Sequence, residues 1–163
     1  MQPRPHLAVW CMTAALCLSA CGFRLQGHTP LPAVVKTPYV EAPDRQSDFV
    51  QSLRHELLSN GAQLEPEKGK SSAVISVLQD QMIRRVVSVS AANQPNQYEI
   101  TYTVRVSVTA GDKELLPAQD VIETRTYSFS EPLLLAKGHE EDVLREDMAR
   151  SLADRVMRLL SRL

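Results

Sequence analysis

The sequence predicts an α+β fold: a two-layer sandwich with a roughly four-stranded, mostly antiparallel sheet and two α-helices on one of its faces. Three observations support this prediction. Long β-branched stretches occupy the middle of the chain, two amphipathic segments flank them, and a short β-branched segment comes first. The 163 residues carry a formal net charge of −1, which suits one domain and gives no overall attraction to nucleic acid.

The first predicted strand and helix precede these long stretches. "AVVKTPYV" (33–40) is rich in β-branched residues, and Pro38 favours a place at a sheet edge or a bulge. A helix is then expected between the cap candidate Ser47 and the stop signal Gly61. Its apolar residues at helical spacing are Phe49, Leu53, Leu57 and Leu58.

Three consecutive strands are predicted at 73–91, 97–110 and 121–130, with turns at 92–97 and 111–112. The middle strand alternates cleanly between apolar and polar residues, so one face is buried and the other is polar. In the first strand, the apolar residues of one parity, which should share the buried face, are Ile75, Val77, Ile83, Val87 and Val89.

The last segment combines an apolar loop with an amphipathic helix. "EPLLLAKGH" (131–139) is expected to be a loop whose leucines either tuck under the sheet or form a hydrophobic contact surface. A helix should begin at about residue 140, with acidic residues in its first turn and arginines at its end, as the helix dipole favours. Its apolar stripe is Val143, Leu144, Met148, Leu152, Val156, Met157, Leu159, Leu160 and Leu163.

The N-terminal region has the pattern of a lipoprotein signal peptide. A basic start, an apolar run at 7–18 and small residues lead to Cys21 in "LSAC". The run is shorter than the ~20 residues of a transmembrane helix. We therefore expect a signal peptide at 1–20, a lipidated tether at 21–32 and a single α+β domain at 33–163. A plain signal peptide followed by a leftover cysteine is the alternative.

The cysteine positions fit lipidation. Cys11 and Cys17 would leave with the signal peptide, so that only Cys21 would remain in the mature chain. Thioether-linked diacylglycerol and an N-acyl chain on Cys21 would anchor the protein stably to a membrane. Gly22 follows where an aspartate is typical of inner-membrane retention, so lipoprotein sorting patterns favour the outer membrane.

The sequence contains no recognisable catalytic or metal-binding motif. "HEED" (139–142) does not match the HExxH spacing, and acidic residues at a helix start explain it better than a metal site. Nucleophile elbows and glycine-rich phosphate loops are absent from the sequence. We therefore expect a protein that is not an enzyme and that uses no cofactor or metal.

Basic residues on the sheet and before the last helix are candidates for binding an anion. Arg84 and Arg85 are adjacent in a strand and should point to opposite faces. Arg105 and Arg125 lie on neighbouring strands, and Lys137 precedes a predicted helix N-terminus, where free N–H groups favour anions. A solvated sheet face with routine cross-strand arginine–glutamate pairs, such as Arg125 with Glu99 or Glu123, is the alternative and explains the arginines somewhat better.

Three motifs together resemble the LptE family of lipopolysaccharide-assembly lipoproteins. "LSACGFRLQG" (18–27) resembles the start of its members, and "QYEITYTVRVSV" (97–108) resembles their central strand. "LLLAKGHEEDVLREDMARSLADRVMRLL" (133–160) resembles their loop and C-terminal helix. The chain departs from the family pattern at Gln26, where arginine is common, and in the turn "AANQPN", which lacks a basic residue.

This resemblance implies a lipoprotein that plugs the lumen of the LptD outer-membrane β-barrel, assists its assembly and helps deliver lipopolysaccharide to the cell surface. Lys137 matches the family pattern and is the first candidate for contact with a lipid A phosphate, followed by Arg84, Arg85 and Arg105. The alternatives are an accessory lipoprotein of a different outer-membrane assembly machine and, less well supported, a hydrolase.

Overall fold

The computed structural model describes residues 30–128 and 134–163. In the last helix, side chains are described only from residue 141 onward. The elements are β1 (Pro38–Glu41), α1 (Asp48–Ser59), β2 (Ala73–Val89), β3 (Pro95–Ala110), β4 (Lys113–Ser128) and α2 (Leu134–Leu160). Short 3-10 turns lie at Ala33–Val35 and Lys68–Lys70. The order strand, helix, three strands, helix is the predicted one.

The four strands form one open sheet in the order β1-β2-β3-β4. β1 is parallel to β2, so α1 serves as the crossover between them, whereas β2, β3 and β4 form an antiparallel meander. α2 packs against α1 and also contacts β3 and β4. The predicted α+β fold with a mostly antiparallel sheet is therefore confirmed.

The core lies between the helix layer and one face of the sheet. Ser47 caps α1 by accepting a hydrogen bond from the Val50 backbone N–H at 3.2 Å, and Gly61 ends this segment with φ of +83°. The largest fully buried side chains include Phe49, Leu53, Leu57, Ile75, Ile100, Met148, Leu152 and Leu160. Aliphatic burial of this kind is the main stabilising contribution to the fold.

A bulge in β2 makes the predicted alternation of buried and exposed residues wrong after Val77. The pairing with β3 shifts between Val77 and Gln79, which leaves Leu78 as the extra residue. Ile75 and Val77 are buried as expected, but Ile83 is 54% exposed. Val87 and Val89, of the same parity, are also exposed. Between this bulge and the next register shift, at Val86/Ser88, the even-numbered positions of β2 face the helices.

Three element boundaries differ from the sequence predictions. Residues 33–35 form a 3-10 turn, so β1 begins only at Pro38. β4 begins at Lys113, directly after the two-residue hairpin turn, because its pairing with β3 continues through residues that have little β-propensity. α2 begins at Leu134, so the prediction of a loop for 134–139 is wrong.

β2 has an open edge over most of its length. β1 pairs only with Ala73–Ser76, so the residues of β2 beyond position 76 have no strand partner on that side within the described ranges. We call the sheet end with the β3–β4 turn (111–112) the near end and the end with the β2–β3 turn (90–94) the far end. Exposed apolar residues of this open stretch are Leu78, Ile83, Val86, Val87 and Val89.

Candidate functional site

The predicted basic residues of the sheet do not meet at one place. Arg84 is paired in register with the buried Ile100, so its side chain is on the helix side of the sheet. Arg85 is on the outer face, as predicted for adjacent strand residues. Arg105 shares that outer face, but it lies six residues from the β3 partner of Arg85, a separation of about 20 Å along the strand.

The outer-face arginines have carboxylate partners on the neighbouring strands. Arg85 Nη2 lies 2.5 Å from Glu99 Oε1, and Arg105 Nε lies 3.4 Å from Asp120 Oδ1. Both arginine side chains remain about half exposed or more, at 69% and 48%. Cross-strand pairing, the alternative noted from the sequence, therefore describes these two residues in the free protein.

Arg84 belongs to an aromatic and acidic cluster under the far end of the sheet. Its guanidinium carbon lies 5.1 Å from the centroid of the Tyr98 ring, which stacks on Tyr127 at 5.6 Å. Arg84 Nη1 also donates to Glu141 Oε2 at 2.8 Å. A hydrogen bond with the Tyr127 hydroxyl, followed by the charge of Glu141, raises the pKa of Arg84 above its ordinary value. The cluster thus holds a permanent cation between the sheet and α2.

Two predicted functional residues cannot be placed with their side chains. Lys137 lies in the first turn of α2, but its side chain is outside the described residues. Cys21 and the rest of the predicted tether up to residue 29 are also outside them. The roles expected for Lys137 and Cys21 therefore stay predictions.

The sequence alone does not predict the buried carboxylate network around Glu123. Glu123, on β4, is only 5% exposed and faces α2. Its carboxylate accepts hydrogen bonds from Arg125 Nε at 2.9 Å, Arg155 Nη2 at 2.5 Å and Ser151 Oγ at 3.0 Å. The pairing of Arg125 with Glu123 was one of two pairs suggested by the sequence, but the partners on α2 are remote in the chain. This network connects β4 to the last helix.

Neither a metal centre nor a membrane-spanning helix is found in the described part of the chain. No group of three or more histidine, cysteine or acidic side chains there is arranged to hold a metal ion. None of the described helices combines the length and apolar character needed to cross a bilayer.

Comparison with protein families identifies a match over most of the chain. The model of the LptE family, described as lipopolysaccharide-assembly, matches residues 35–160. An LPS-assembly lipoprotein LptE from Pectobacterium atrosepticum is 28% identical over 149 residues, which cover 90% of this chain and 80% of that protein. The LPS-assembly lipoprotein LptE from Photorhabdus laumondii is 26% identical over 148 residues, with the same coverage of 90% and 80%.

Solved structures of lipoproteins share the fold. An uncharacterized lipoprotein B from Nitrosomonas europaea superimposes with a TM-score of 0.71 at 26% identity, covering 86% of this chain and 90% of its own. The rare lipoprotein B from Shewanella oneidensis superimposes with a TM-score of 0.68 at 21% identity, covering 77% and 93%. The second similarity concerns the fold alone.

Proposed function

The chain belongs to the LptE family of lipopolysaccharide-assembly lipoproteins, and from this premise we propose that it forms a complex with an LptD-type outer-membrane β-barrel. In this proposal it acts as a plug in the barrel lumen, assists barrel assembly and binds lipopolysaccharide on its way to the cell surface. The match of the family model to residues 35–160 is the observation that carries the proposal.

We propose that the mature protein is anchored in the outer membrane by acyl chains on Cys21. Residues 1–20 would be removed as the signal peptide, 21–32 would form the tether and 33–163 the domain. The apolar run before "LSAC" and the small residues beside Cys21 support this processing. The domain would then face the periplasm and the barrel lumen.

The outer face of the sheet suits a wet barrel interior. The cross-strand neighbours in the middle of this face include Thr101, Thr103 and Thr124. The exposed large apolar residues beside them are Ile83 and Ile122. Barrel interiors are polar, so hydroxyl-rich strands can contact them without a desolvation penalty comparable to that of buried charges. β2 has 17 residues and at about 3.3 Å per residue extends for roughly 55 Å, enough to follow a barrel wall across the membrane.

Lipopolysaccharide binding would use basic side chains that can reach its phosphates. Lys137 is the first candidate because it matches the family motif. Arg85 and Arg105 would have to exchange Glu99 and Asp120 for a phosphate, and Arg84 would have to leave its contact with Glu141. Bidentate guanidinium–phosphate geometry makes such an exchange chemically reasonable for arginine. We propose no catalytic step for the protein.

Co-purification tests the barrel complex. The tagged, lipidated protein, extracted in mild detergent, should bring down a large β-barrel in near-equal amount. We expect Ile83→Lys to reduce barrel recovery several-fold, because it places a charge on the sheet's outer face. Leu58→Lys on α1 is the matched control, since the two side chains are 54% and 55% exposed. Recovery of the protein alone would contradict the complex, and equal losses in both variants would contradict contact through the sheet.

Charge reversal tests the lipopolysaccharide contact. Lys137→Asp should weaken binding of lipopolysaccharide to the purified mature protein by about tenfold, because it replaces a phosphate partner by a like charge. Lys113→Asp, at the near end of the sheet, makes the same charge change far from the first turn of α2. Equal binding by the Lys137→Asp variant and the wild type would remove Lys137 from the site.

A further inference from the structure

A small cavity between β1 and α1 contains charged side chains that the proposed barrel and lipopolysaccharide contacts do not use. Its volume is about 210 Å³, and its lining includes Tyr39, Arg45, Arg54 and Glu65. Tyr39 comes from β1, Arg45 from the loop before α1 and Arg54 from α1 itself. Glu65 follows on the segment after α1, where its backbone N–H donates to the Pro38 carbonyl at 3.0 Å. Four separate chain segments therefore meet around this cavity.

The two arginines of the cavity differ from most others in the described part of the chain. Arginines that form ion pairs there are Arg84, Arg85, Arg105, Arg125, Arg145, Arg150 and Arg155. Arg45 and Arg54 form none with the described residues, and among the described arginines only Arg158 and Arg162 share this property. Two guanidinium groups that form no ion pair but line one cavity are a feature of anion sites, because no direct carboxylate contact neutralises either of them.

Arg45 is held in place before any ligand binds. Its Nη2 donates to the Tyr39 hydroxyl at 2.5 Å, and its guanidinium carbon lies 5.7 Å from the centroid of the same ring. The Asp44 side chain accepts a hydrogen bond from the Gln46 backbone at 2.8 Å, and Gln51 Nε2 donates to the Arg45 carbonyl at 2.8 Å, so the surrounding loop is also fixed. Such preorganisation reduces the entropy cost of binding.

Glu65 adds a negative charge to the same cavity. It has no ion-pair partner among the described residues, although two arginines line the cavity with it. A simple phosphate would be repelled by this carboxylate, whereas a phosphate that carries an ammonium group nearby would satisfy both signs of charge. The charge pattern of the cavity is therefore that of a site for a zwitterion.

We propose that this cavity binds a phosphoethanolamine group, with Arg45 and Arg54 on the phosphate and Glu65 on the ammonium group. The group can come from a small soluble molecule or from a lipid headgroup, and the chemistry recognised is the same. The proposal goes beyond the barrel complex and does not depend on it, because the cavity uses none of the residues assigned above to the barrel or lipopolysaccharide contacts.

Isothermal titration calorimetry on the purified mature protein in phosphate-free buffer tests the site. Three probes are titrated: O-phosphoethanolamine, dihexanoyl phosphatidylethanolamine and inorganic phosphate. We expect at least one ethanolamine compound to bind with about threefold or greater preference over inorganic phosphate. The compound that binds more tightly shows whether the group comes from a soluble molecule or from a lipid headgroup. Absence of binding by both compounds would overturn the proposal.

Variants locate the binding. Combining Arg45→Gln with Arg54→Gln should weaken binding of the ethanolamine compounds by at least about tenfold. The matched control, Arg158→Gln with Arg162→Gln, removes the same charge from two exposed arginines on the last helix and the C-terminal residues. Similar weakening in the two double variants would show a general charge effect and refute the site.

Two single variants keep the test decisive if the cavity double variant unfolds. Tyr39→Phe removes the hydroxyl that holds Arg45 and should weaken binding by about threefold while the thermal unfolding temperature stays within about 2 °C. Glu65→Gln should abolish the preference for O-phosphoethanolamine over inorganic phosphate. Retention of the full preference in Glu65→Gln would contradict the assigned role of the carboxylate.

Discussion

Replacing Glu123 by alanine should destabilise the fold by about 2–3 kcal/mol. The carboxylate is 5% exposed and accepts hydrogen bonds from Arg125, Arg155 and Ser151. Removing one partner of a fully buried ion pair costs about 3–5 kcal/mol, because the other charge stays buried and unpaired. Here the arginine side chains are 50% and 43% exposed, so both guanidinium groups can return to water and the expected cost is smaller.

Urea unfolding followed by circular dichroism measures this cost, and two arginine variants calibrate it. Arg125→Ala should cost no more than about 1 kcal/mol, because Glu123 keeps its partners on α2. Arg155→Ala should cost about 1–2 kcal/mol, since it also loses the 2.8 Å hydrogen bond to the Ile122 carbonyl. A Glu123→Ala protein within about 0.5 kcal/mol of wild type would refute the view that this carboxylate connects β4 to α2.

Two further predictions concern the contact between α1 and the sheet. Ser47→Ala should cost about 1–2 kcal/mol in urea unfolding, because it removes the cap on Val50 and the 2.5 Å hydrogen bond to Asp80; a cost near zero would contradict both roles. Burial, followed by a hydrogen bond with Asp80, raises the pKa of Tyr102. The unfolded tyrosine therefore loses its proton first as the pH rises above about 10, and stability falls from there upward. Tyr102→Phe should flatten this alkaline fall, and an unchanged slope would contradict the assignment.

The middle strand was predicted accurately because its sequence and its environment agree. Apolar and polar residues alternate without interruption along β3, and each apolar residue from Ile100 to Val108 of that parity is buried. β2 has a comparable composition, but alternation alone does not locate a bulge. The extra residue Leu78 inverts the faces of the residues from Gln79 to Val86, so Ile83 is exposed although it shares the parity of Ile75.

The candidate site was less predictable because its residues meet across long sequence separations. Opposite faces for Arg84 and Arg85 follow from strand geometry alone. Arg84 and its partner on α2, Glu141, are 57 residues apart in the sequence. Glu123 and its partner Arg155 are separated by 32 residues. The helix that supplies these partners was expected to begin at residue 140, but it begins at Leu134, and its position over the sheet depends on packing rather than on local sequence.

The distribution of buried residues explains why the far end of the sheet is the better candidate for contact with a partner. Near the β3–β4 turn, Ile75, Val77 and Val106 are almost completely buried under the helices. Toward the β2–β3 turn, burial gives way to exposed residues such as Val86 and Val89, and β2 has an open edge there. Backbone groups on an open strand edge and exposed apolar side chains both gain free energy when another surface covers them. The near end therefore stabilises the domain, while the far end keeps, among the described residues, an open strand edge and exposed apolar side chains that suit contact with a partner.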